Sequence, residues 1–260
     1  MGPALAAVFA HPDDDTYALG GTLALYAPEV AYTLVVATSG EAGQIADPSL
    51  ATRETLAAVR EEEEREALER LGVRADVRFL RYPDGGLSEV PRQELVGRVA
   101  EVLVEARPLV VVTFGPEGVT RHPDHTTISQ AATEAFHRAR AEAGDGALRR
   151  LLYAALPHSL VERFEHRLRG AGIDLGEPGE QLLPRGVPDH TISVRVDCRA
   201  VLAAKLEALR AHRTQAEELE TIPQDFLPEF LGQEWFVQAW PPVTEPGGPF
   251  LSGVFEGLEP

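Results

Sequence analysis

Residues 4–15 read ALAAVFAHPDDD, an apolar run that ends abruptly in one histidine and three aspartates. A short, continuous apolar run bounded by polar residues predicts a buried strand of a parallel sheet. The next stretch, 18–27, has the composition of a helix, and Gly20 and Gly21 allow close approach at its start. A buried strand that leads through a polar turn into a helix is the first half of a strand–helix–strand unit.

The same alternation of strands and helices continues to about residue 170. The predicted strands cover 4–10, 31–38, 76–80, 109–114 and 150–156, and the predicted helices cover 18–27, 50–71, 92–106 and 126–142. Strands that alternate with helices at this spacing predict an α/β fold, in which a Rossmann-like, mostly parallel sheet carries helices on both faces.

The pattern is looser in the last third of the chain, where glycine and proline are frequent. We predict a strand over 190–197, a helix over 199–219 and an irregular, proline-rich cover over 220–260. The chain is therefore divided into a Rossmann-like core, 1–170, and a C-terminal extension, 171–260. We expect this extension to pack on the same domain as an irregular annex.

The charge balance excludes two classes of partner. The 260 residues include 24 Lys+Arg and 41 Asp+Glu, so the formal net charge is −17. Such a surface repels phosphate backbones and anionic lipids, and we expect neither nucleic acid nor a membrane as a partner. The one cysteine, Cys198, rules out an internal disulfide. We predict no signal peptide and no spanning segment, and we expect a cytoplasmic protein.

A second segment rich in histidine and aspartate lies more than a hundred residues after the first. RHPDH, residues 121–125, closes the loop after the fourth predicted strand and opens a helix, just as HPDDD, residues 11–15, follows the first strand. The carboxyl ends of parallel strands lie at one edge of a sheet, which is where ligands bind in this fold class. The two segments are therefore predicted to meet.

Together the two segments supply a set of metal ligands. His11, Asp14 and His125 would provide two imidazoles and one carboxylate, which leaves a coordination position for water. A zinc ion held in this way lowers the pKa of its water to about 7. One of Asp13 and Asp14 could bind the metal while the other accepts a proton. The spacing alone leaves open which aspartate has which role.

Two further groups of the second segment suit acid–base chemistry. His122 could stabilise an oxyanion or protonate a leaving group, and Asp124 could orient its ring. A metal-activated water flanked by an acid–base pair is suited to the hydrolysis of an amide or an ester.

Three other interpretations of these residues remain open. The aspartates Asp13, Asp14 and Asp15 could cap the helix that follows them. Two histidines and one carboxylate also form the iron site of non-haem Fe(II) oxygenases, although those enzymes are usually all-β jelly rolls. The chain could also be a metal- or sugar-binding protein without catalysis, but a binding protein would have no need of Asp13 as a base.

The two segments, AHPDDDTYALGGTLA and RHPDH, resemble those of the LmbE-like/PIG-L family of zinc-dependent N-deacetylases, and the order of elements is similar over nearly the whole chain. The family acts mostly on N-acetylglucosaminyl groups. The resemblance implies Zn²⁺, with Fe²⁺ or another divalent ion as an alternative, and a small-molecule N-acetylated sugar or conjugate as substrate. The resemblance implies that His11, Asp14 and His125 bind the metal and that Asp13 is the general base. It implies that His122 is the electrophile or acid, that Asp124 orients it and that Asp15 has a supporting role.

Other segments suggest residues that bind the substrate. TSGEAGQ (38–44) is similar to a family turn in which a glutamate contacts the sugar, which here is Glu41, and VREEE (59–63) is similar to a helix whose arginine, Arg60, faces the substrate. Arg121 could add positive charge at the mouth of the site. The glutamates of 61–64 are interpreted as a solvated helix face. Two more predictions concern the C-terminal half: His212 and Gln215 could reach the pocket, and the apolar tail could form a homo-oligomer interface.

Overall fold

The computed structural model describes residues 2–120, 122–144, 146–173, 184–244 and 246–258, with the side chain of Glu218 left out. Over these ranges the centre of the molecule is one sheet of eight strands. The strands are β1 (Ala4–Phe9), β2 (Ala31–Thr38), β3 (Ala75–Tyr82), β4 (Val110–Phe114), β5 (Arg150–Pro157), β6 (Gly186–Val187), β7 (Val194–Asp197) and β8 (Gln233–Trp240). The helices are α1 (Asp14–Tyr26), α2 (Leu56–Arg70), α3 (Arg92–Ala106), α4 (Pro123–Ala143), α5 (His158–Gly170), α6 (Leu202–Leu209), α7 (Ala216–Glu220) and α8 (Leu227–Phe230).

The strand order is β3-β2-β1-β4-β5-β8-β7, and β6 pairs with β5 off this path. From β3 to β5 every neighbouring pair is parallel. The predicted α/β fold with a mostly parallel sheet is therefore confirmed. The chain runs outwards from β1 to β3 and then returns to place β4 on the other side of β1. The crevice between the carboxyl ends of β1 and β4 is thus the point where the strand order reverses, and ligands bind at such points.

The central strands are apolar because helices cover them on both faces. In β1 the side chains from Leu5 to Phe9 are at most 1% exposed, and β4 is buried along its whole length. Helices α3 and α4 pack together against β1, β2 and β4, whereas α1, α2 and α6 pack together as a separate layer. Of the helices that the structure describes, none has the length and apolarity needed to cross a bilayer.

The C-terminal third differs from the prediction in its details. The single helix predicted over 199–219 is broken into α6 and α7, with a 3-10 turn at Arg213–Gln215 between them. Strand β7 begins at Val194 rather than at residue 190, and α5 was not predicted. The segment 220–260, predicted as an irregular cover, contains the regular strand β8, which is antiparallel to both β5 and β7. The domain boundary at residue 170 stays a prediction.

A buried ion pair joins β8 to the middle of α1. Lys205, on α6, donates from Nζ to Glu234 Oε1 at 2.7 Å and to the carbonyl of Tyr17 at 2.8 Å. The Glu234 carboxylate also accepts from the backbone N–H groups of Gly21 and Thr22, at 2.7 and 2.8 Å. Both charged side chains are at most 2% exposed. Helix α1, whose first turn carries the aspartates, is thus fixed at its middle by a fully buried pair of opposite charges.

Candidate metal centre

Three predicted ligands meet at the crevice between β1 and β4. His11 Nδ1 lies 3.2 Å from His125 Nε2 and 3.6 Å from Asp14 Oδ2, and His125 Nε2 lies 3.5 Å from Asp14 Oδ1. In a tetrahedral zinc site with bonds of about 2.0–2.1 Å, neighbouring ligand atoms are about 3.3–3.4 Å apart. The two imidazole nitrogens are therefore spaced like two ligands of such a metal, and each has one oxygen of the Asp14 carboxylate within 3.6 Å.

Two other groups of potential ligands share His11. The ligand atoms of His11, His122 and His125 lie within 4.8 Å of one another, and so do those of His11, Asp84 and Asp124. We favour the set with Asp14 because its carboxylate lies within 3.6 Å of both His11 Nδ1 and His125 Nε2, the two nitrogens that face each other. Asp84 and Asp124 instead approach the other ring nitrogen of His11, Nε2, at 3.0 and 3.6 Å.

Local hydrogen bonds aim two of these ligands at the crevice. Asp14 Oδ2 accepts from the backbone N–H groups of Ala10 and His11, at 3.2 and 2.8 Å, which turns the carboxylate back across the loop after β1. His125 Nδ1 lies 3.0 Å from the carbonyl of Gly118. A proton on Nδ1 donates to that carbonyl, which leaves the lone pair of Nε2 for a metal.

The electrostatics of the site favour positive charge. Burial acts to lower the pKa of His11, but hydrogen bonds to Asp124 and Asp84 and the charge of Asp14 outweigh it and raise the pKa to about 10. The pKa of His125 is lowered by burial, so its imidazole is neutral near pH 7. Neutral imidazole is the form that binds metals, so a cation bound to His11 would replace the proton that the neighbouring carboxylates stabilise there. The donor set and its excess of carboxylate therefore fit a divalent cation.

Asp84 is a site residue that the sequence analysis missed. Its Oδ1 lies 3.0 Å from His11 Nε2, its Oδ2 accepts from the backbone N–H of Ala42 at 3.0 Å, and its own N–H donates to Glu41 Oε1 at 2.9 Å. Burial acts against ionisation of Asp84, but His11 outweighs it and lowers the pKa to about 2. The available signal was its position in the YPDGG turn, directly after another parallel strand. Glu41, predicted to bind substrate, here joins two loops.

The side chain of Asp13 is held by α2. Arg60 Nη2 lies 2.9 Å from Asp13 Oδ2 and donates to the carbonyl of Pro12 at 2.8 Å, while Arg60 Nη1 donates to the carbonyl of Gly40 at 3.0 Å. The arginine is only 5% exposed. A contact between Arg60 and substrate stays a prediction, and Arg121 lies outside the described residues.

His122 and Asp124 meet in a different way from the one predicted. The backbone N–H of Asp124 donates to His122 Nδ1 at 3.2 Å, so the main chain rather than the carboxylate contacts the ring. The Asp124 carboxylate accepts from the N–H groups of Gly85 and Leu87, at 2.8 and 3.1 Å, and lies 3.6 Å from His11 Nε2. Burial and the nearby charge of His11 lower the pKa of His122.

The interpretation of residues 61–64 as a solvated helix face is wrong for three of the four glutamates, because only Glu62 is exposed. The other three are buried with polar partners. Glu61 Oε1 lies 2.8 Å from Arg81 Nε and accepts from Ser39 Oγ at 2.7 Å; Glu63 accepts from the N–H and hydroxyl of Thr214 at 3.0 and 2.6 Å; Glu64 Oε2 accepts from the N–H of Asp13 at 2.8 Å.

The helix-capping interpretation is also wrong. Asp13 occupies the N-cap position of α1, but among the described contacts its side chain makes no capping hydrogen bond. Asp14 accepts from the N–H groups that precede it. Asp15 accepts from the hydroxyl of Tyr32 at 3.0 Å, and burial raises the pKa of Asp15 to about 6. The three aspartate side chains therefore make different contacts, and Glu64 contacts both the carboxyl group of Asp15 and the N–H of Asp13.

Two predicted pocket residues have contacts of their own. His212 is buried, with Nε2 3.2 Å from Thr16 Oγ1, and burial lowers its pKa to about 3. Gln215 Nε2 donates to the carbonyl of Gln44 at 2.9 Å, which ties the turn before α7 to the loop that contains Glu41. His212 therefore contacts the first turn of α1, Gln215 contacts the loop of Glu41, and a contact of either residue with substrate stays a prediction.

Comparison with known proteins shows the family of this chain. A model of the PIG-L family, described as GlcNAc-PI de-N-acetylase, matches residues 6–136. A protein of Thermobispora bispora named 1D-myo-inositol 2-acetamido-2-deoxy-alpha-D-glucopyranoside deacetylase is 34% identical, over 96% of this chain and 91% of the relative. The chain belongs to the PIG-L family. A protein of the same name from Nocardiopsis dassonvillei is 36% identical, over 96% and 99% of the two chains.

Solved structures share the PIG-L fold at lower identity. A conserved protein of Thermus thermophilus is 27% identical with a TM-score of 0.62, and the match covers 94% of this chain and 98% of the other. The 4-carboxy-2-hydroxymuconate hydratase GalB of Pseudomonas putida is 22% identical with a TM-score of 0.64, over the same shares of the two chains. Because one neighbour is named a hydratase, the fold alone does not determine the reaction.

Proposed function

We propose that this member of the PIG-L family is a metal-dependent N-deacetylase. It would hydrolyse the acetamide of an N-acetyl amino sugar or a related conjugate to acetate and a free amine. The observation that carries the proposal is the meeting of His11, Asp14 and His125 at separations of 3.2–3.6 Å, with the carboxylate of Asp13 on the adjacent residue. The deacetylase names of the relatives at 34% and 36% identity support it.

The proposed metal is Zn²⁺, with Fe²⁺ or another divalent ion as the alternative, and His11, Asp14 and His125 would hold it. When bound, such an ion supplies Lewis acidity, which polarises a carbonyl and lowers the pKa of water. The chain supplies a cluster of carboxylates around His11 that stabilises positive charge at this place.

Asp13 would transfer protons, and His122 would donate a hydrogen bond to the oxyanion. Asp13 would take a proton from the water that attacks the carbonyl carbon, and it would pass that proton to the leaving nitrogen as the C–N bond breaks. His122 Nδ1 accepts from the N–H of Asp124, so the neutral ring carries its proton on Nε2. That Nε2–H would donate to the oxyanion that develops on the carbonyl oxygen.

The substrate class follows from the relatives' names, and its contacts are predictions. Those names describe an N-acetylglucosamine unit linked to inositol, and we propose a small molecule of this type as substrate. Glu41, Arg60 and Arg121 are the proposed contacts. A cytoplasmic location and a homo-oligomer also stay predictions.

The alternative functions have less support. The oxygenase interpretation calls for a jelly roll, whereas the observed sheet is parallel and covered by helices. A binding protein without catalysis remains distinguishable by experiment, because Asp13→Ala would abolish turnover in a hydrolase while the metal stays bound.

The test is acetate release from a panel of N-acetyl sugars, including N-acetylglucosamine and its inositol conjugate, with the metal content measured in the same sample. We expect acetate from at least one sugar, and less of it after treatment with a chelator. A parallel assay for hydration of 4-carboxy-2-hydroxymuconate checks the reaction of the structural neighbour. Metal-loaded protein that releases no acetate from any sugar would contradict the proposal.

A further inference from the structure

The backbone of Asp13 has an unusual conformation for a residue with a side chain. Its φ is 104° and its ψ is −28°, which is left-handed backbone. Such conformations are costly for residues other than glycine, and they persist only where the surroundings fix them. Some part of the molecule must therefore hold this peptide in place.

Two residues of α2, one helical turn apart, supply that hold. Glu64 Oε2 accepts from the backbone N–H of Asp13 at 2.8 Å. Arg60 binds the other side of the same peptide, since its Nη2 donates to the carbonyl oxygen of Pro12 at 2.8 Å. The same nitrogen lies 2.9 Å from the side-chain oxygen Asp13 Oδ2. Residues four apart lie on one face of a helix, so α2 presents an acceptor and a donor together. Glu64 is fully buried and Arg60 nearly so.

The carboxylate of Asp13 contacts α2 and makes no capping hydrogen bond with its own helix. An aspartate at an N-cap ordinarily turns its side chain towards the first N–H groups of its own helix. Asp13 occupies the N-cap of α1, yet its Oδ2 lies against Arg60 instead. Helix α2 thus contacts both the main-chain N–H and the side chain of Asp13.

We propose that Glu64 is a positioning residue for the base Asp13, an inference that rests on the proposed function. Glu64 acts through the N–H of Asp13, keeps the strained peptide in its left-handed conformation and so aims the carboxylate at the reacting water. An acceptor oxygen at this place is what the role requires, and a negative charge is not.

The variants Glu64→Gln and Glu64→Met separate the two requirements. Glutamine keeps the shape and one acceptor oxygen, so we expect kcat within about threefold of the wild type. Methionine keeps the volume but has no oxygen, and we expect kcat to fall about 10- to 100-fold with KM and metal content unchanged. A loss of about tenfold or more in Glu64→Gln would overturn the proposal, even if Glu64→Met does not fold.

Glu63→Met is the matched control. Glu63 is the neighbouring buried glutamate, and it binds Thr214 rather than Asp13. We expect a lower Tm and a kcat within about threefold of the wild type. A similar fall in kcat in both methionine variants would show a general effect of burying an apolar side chain in α2, which contradicts a specific role for Glu64.

Two further measurements separate this inference from the proposed function. In an Asp13→Asn background, Glu64→Met should lower the residual kcat by no more than about twofold, because it acts through Asp13. A crystal structure of Glu64→Met should show a negative φ at residue 13 and a broken contact with Arg60. If φ stays positive there, the positioning role is wrong whatever the activity. If φ changes but the wild type releases no acetate, only the proposed function fails.

Discussion

Helix α1 is held by buried charged groups at two places, and the two sets of charges are balanced differently. At its middle, one lysine and one carboxylate, Lys205 and Glu234, face each other and bind main-chain groups of the helix. At its start, three carboxylates converge on one imidazole, that of His11. The first set neutralises itself within the protein, whereas the second keeps an excess of negative charge.

The difference distinguishes a structural cluster from a binding site. A buried ion pair with all its hydrogen bonds made holds elements together, and removing one partner leaves an uncompensated charge. An excess of charge of one sign perturbs pKa values, as at His11, and is relieved by a ligand of the opposite charge. Substitutions in the first set should therefore change stability, and those in the second should change metal binding and activity.

The largest effect is expected from His125→Ala. Removing one of three ligands should abolish both bound metal and acetate release, while the fold remains. Metal analysis of the purified variant, together with the acetate assay, checks this. His158→Ala is the control, since His158 lies exposed on α5 and pairs with Glu162. Full metal occupancy and activity in His125→Ala would remove the basis of the metal centre.

Asp13→Asn is expected to have the next largest effect. An amide does not accept a proton at neutral pH, so kcat should fall about 10²- to 10⁴-fold, the usual range for a general base. The metal content should stay at the wild-type value, because Asp14 rather than Asp13 is the proposed ligand. Loss of metal from Asp13→Asn together with metal retention in Asp14→Asn would reverse the assignment of the two aspartates.

Lys205→Met tests the buried ion pair between Lys205 and Glu234. The variant leaves the Glu234 carboxylate buried without its cation, which should lower the free energy of unfolding by about 3–5 kcal/mol. Urea denaturation measures this. Metal per folded chain should stay unchanged. In the control Arg70→Met, an exposed pair with Glu66 is lost, at a cost of about 1 kcal/mol or less. An equal loss in the free energy of unfolding in the two variants would mean that the buried pair stabilises the protein no more than the exposed pair does.

The smallest effect is expected from Asp84→Asn. This change keeps the shape but removes a charge next to His11 Nε2, and partners of this kind are worth about 10- to 100-fold in metal affinity. Competition with a chelating dye measures the affinity. Asp76→Asn is the control, because Asp76 is exposed and binds only surface arginine among the described contacts. An unchanged metal affinity in Asp84→Asn would show that Asp84 does not contribute to metal binding beyond the three ligands.

The sequence predicts the parallel sheet and the meeting of the two histidine-rich segments because both follow from local patterns. Apolar runs such as that before His11 mark buried strands, and parallel strands share a carboxyl edge. Proximity of His11 and His125 therefore follows from topology alone. The order of roles between Asp13 and Asp14 does not, since two adjacent carboxylates differ only in the contacts that the folded chain gives them.

The remaining errors come from tertiary contacts that local patterns do not carry. A run of four glutamates suggests exposure to solvent, but Glu63 and Glu64 are buried because Thr214 and Asp13 supply donors from distant parts of the chain. Asp84 lies in a polar turn like many others, and only the fold brings it to His11. Strand β8 lies in a proline-rich segment, and its pairing with β5 could not be inferred from its neighbours in sequence.

The place of β8 in the sheet has a consequence for biosynthesis. This strand is the last of the eight to leave the ribosome, yet it lies between β5 and β7, both of which are made before it. Until it arrives, β5 lacks its antiparallel neighbour and Lys205 lacks Glu234. A nascent chain that already contains every residue of the metal centre thus still has an open sheet edge, which exposes it to aggregation and to proteolysis. Completion of the sheet therefore waits for a segment that contributes no ligand to the metal.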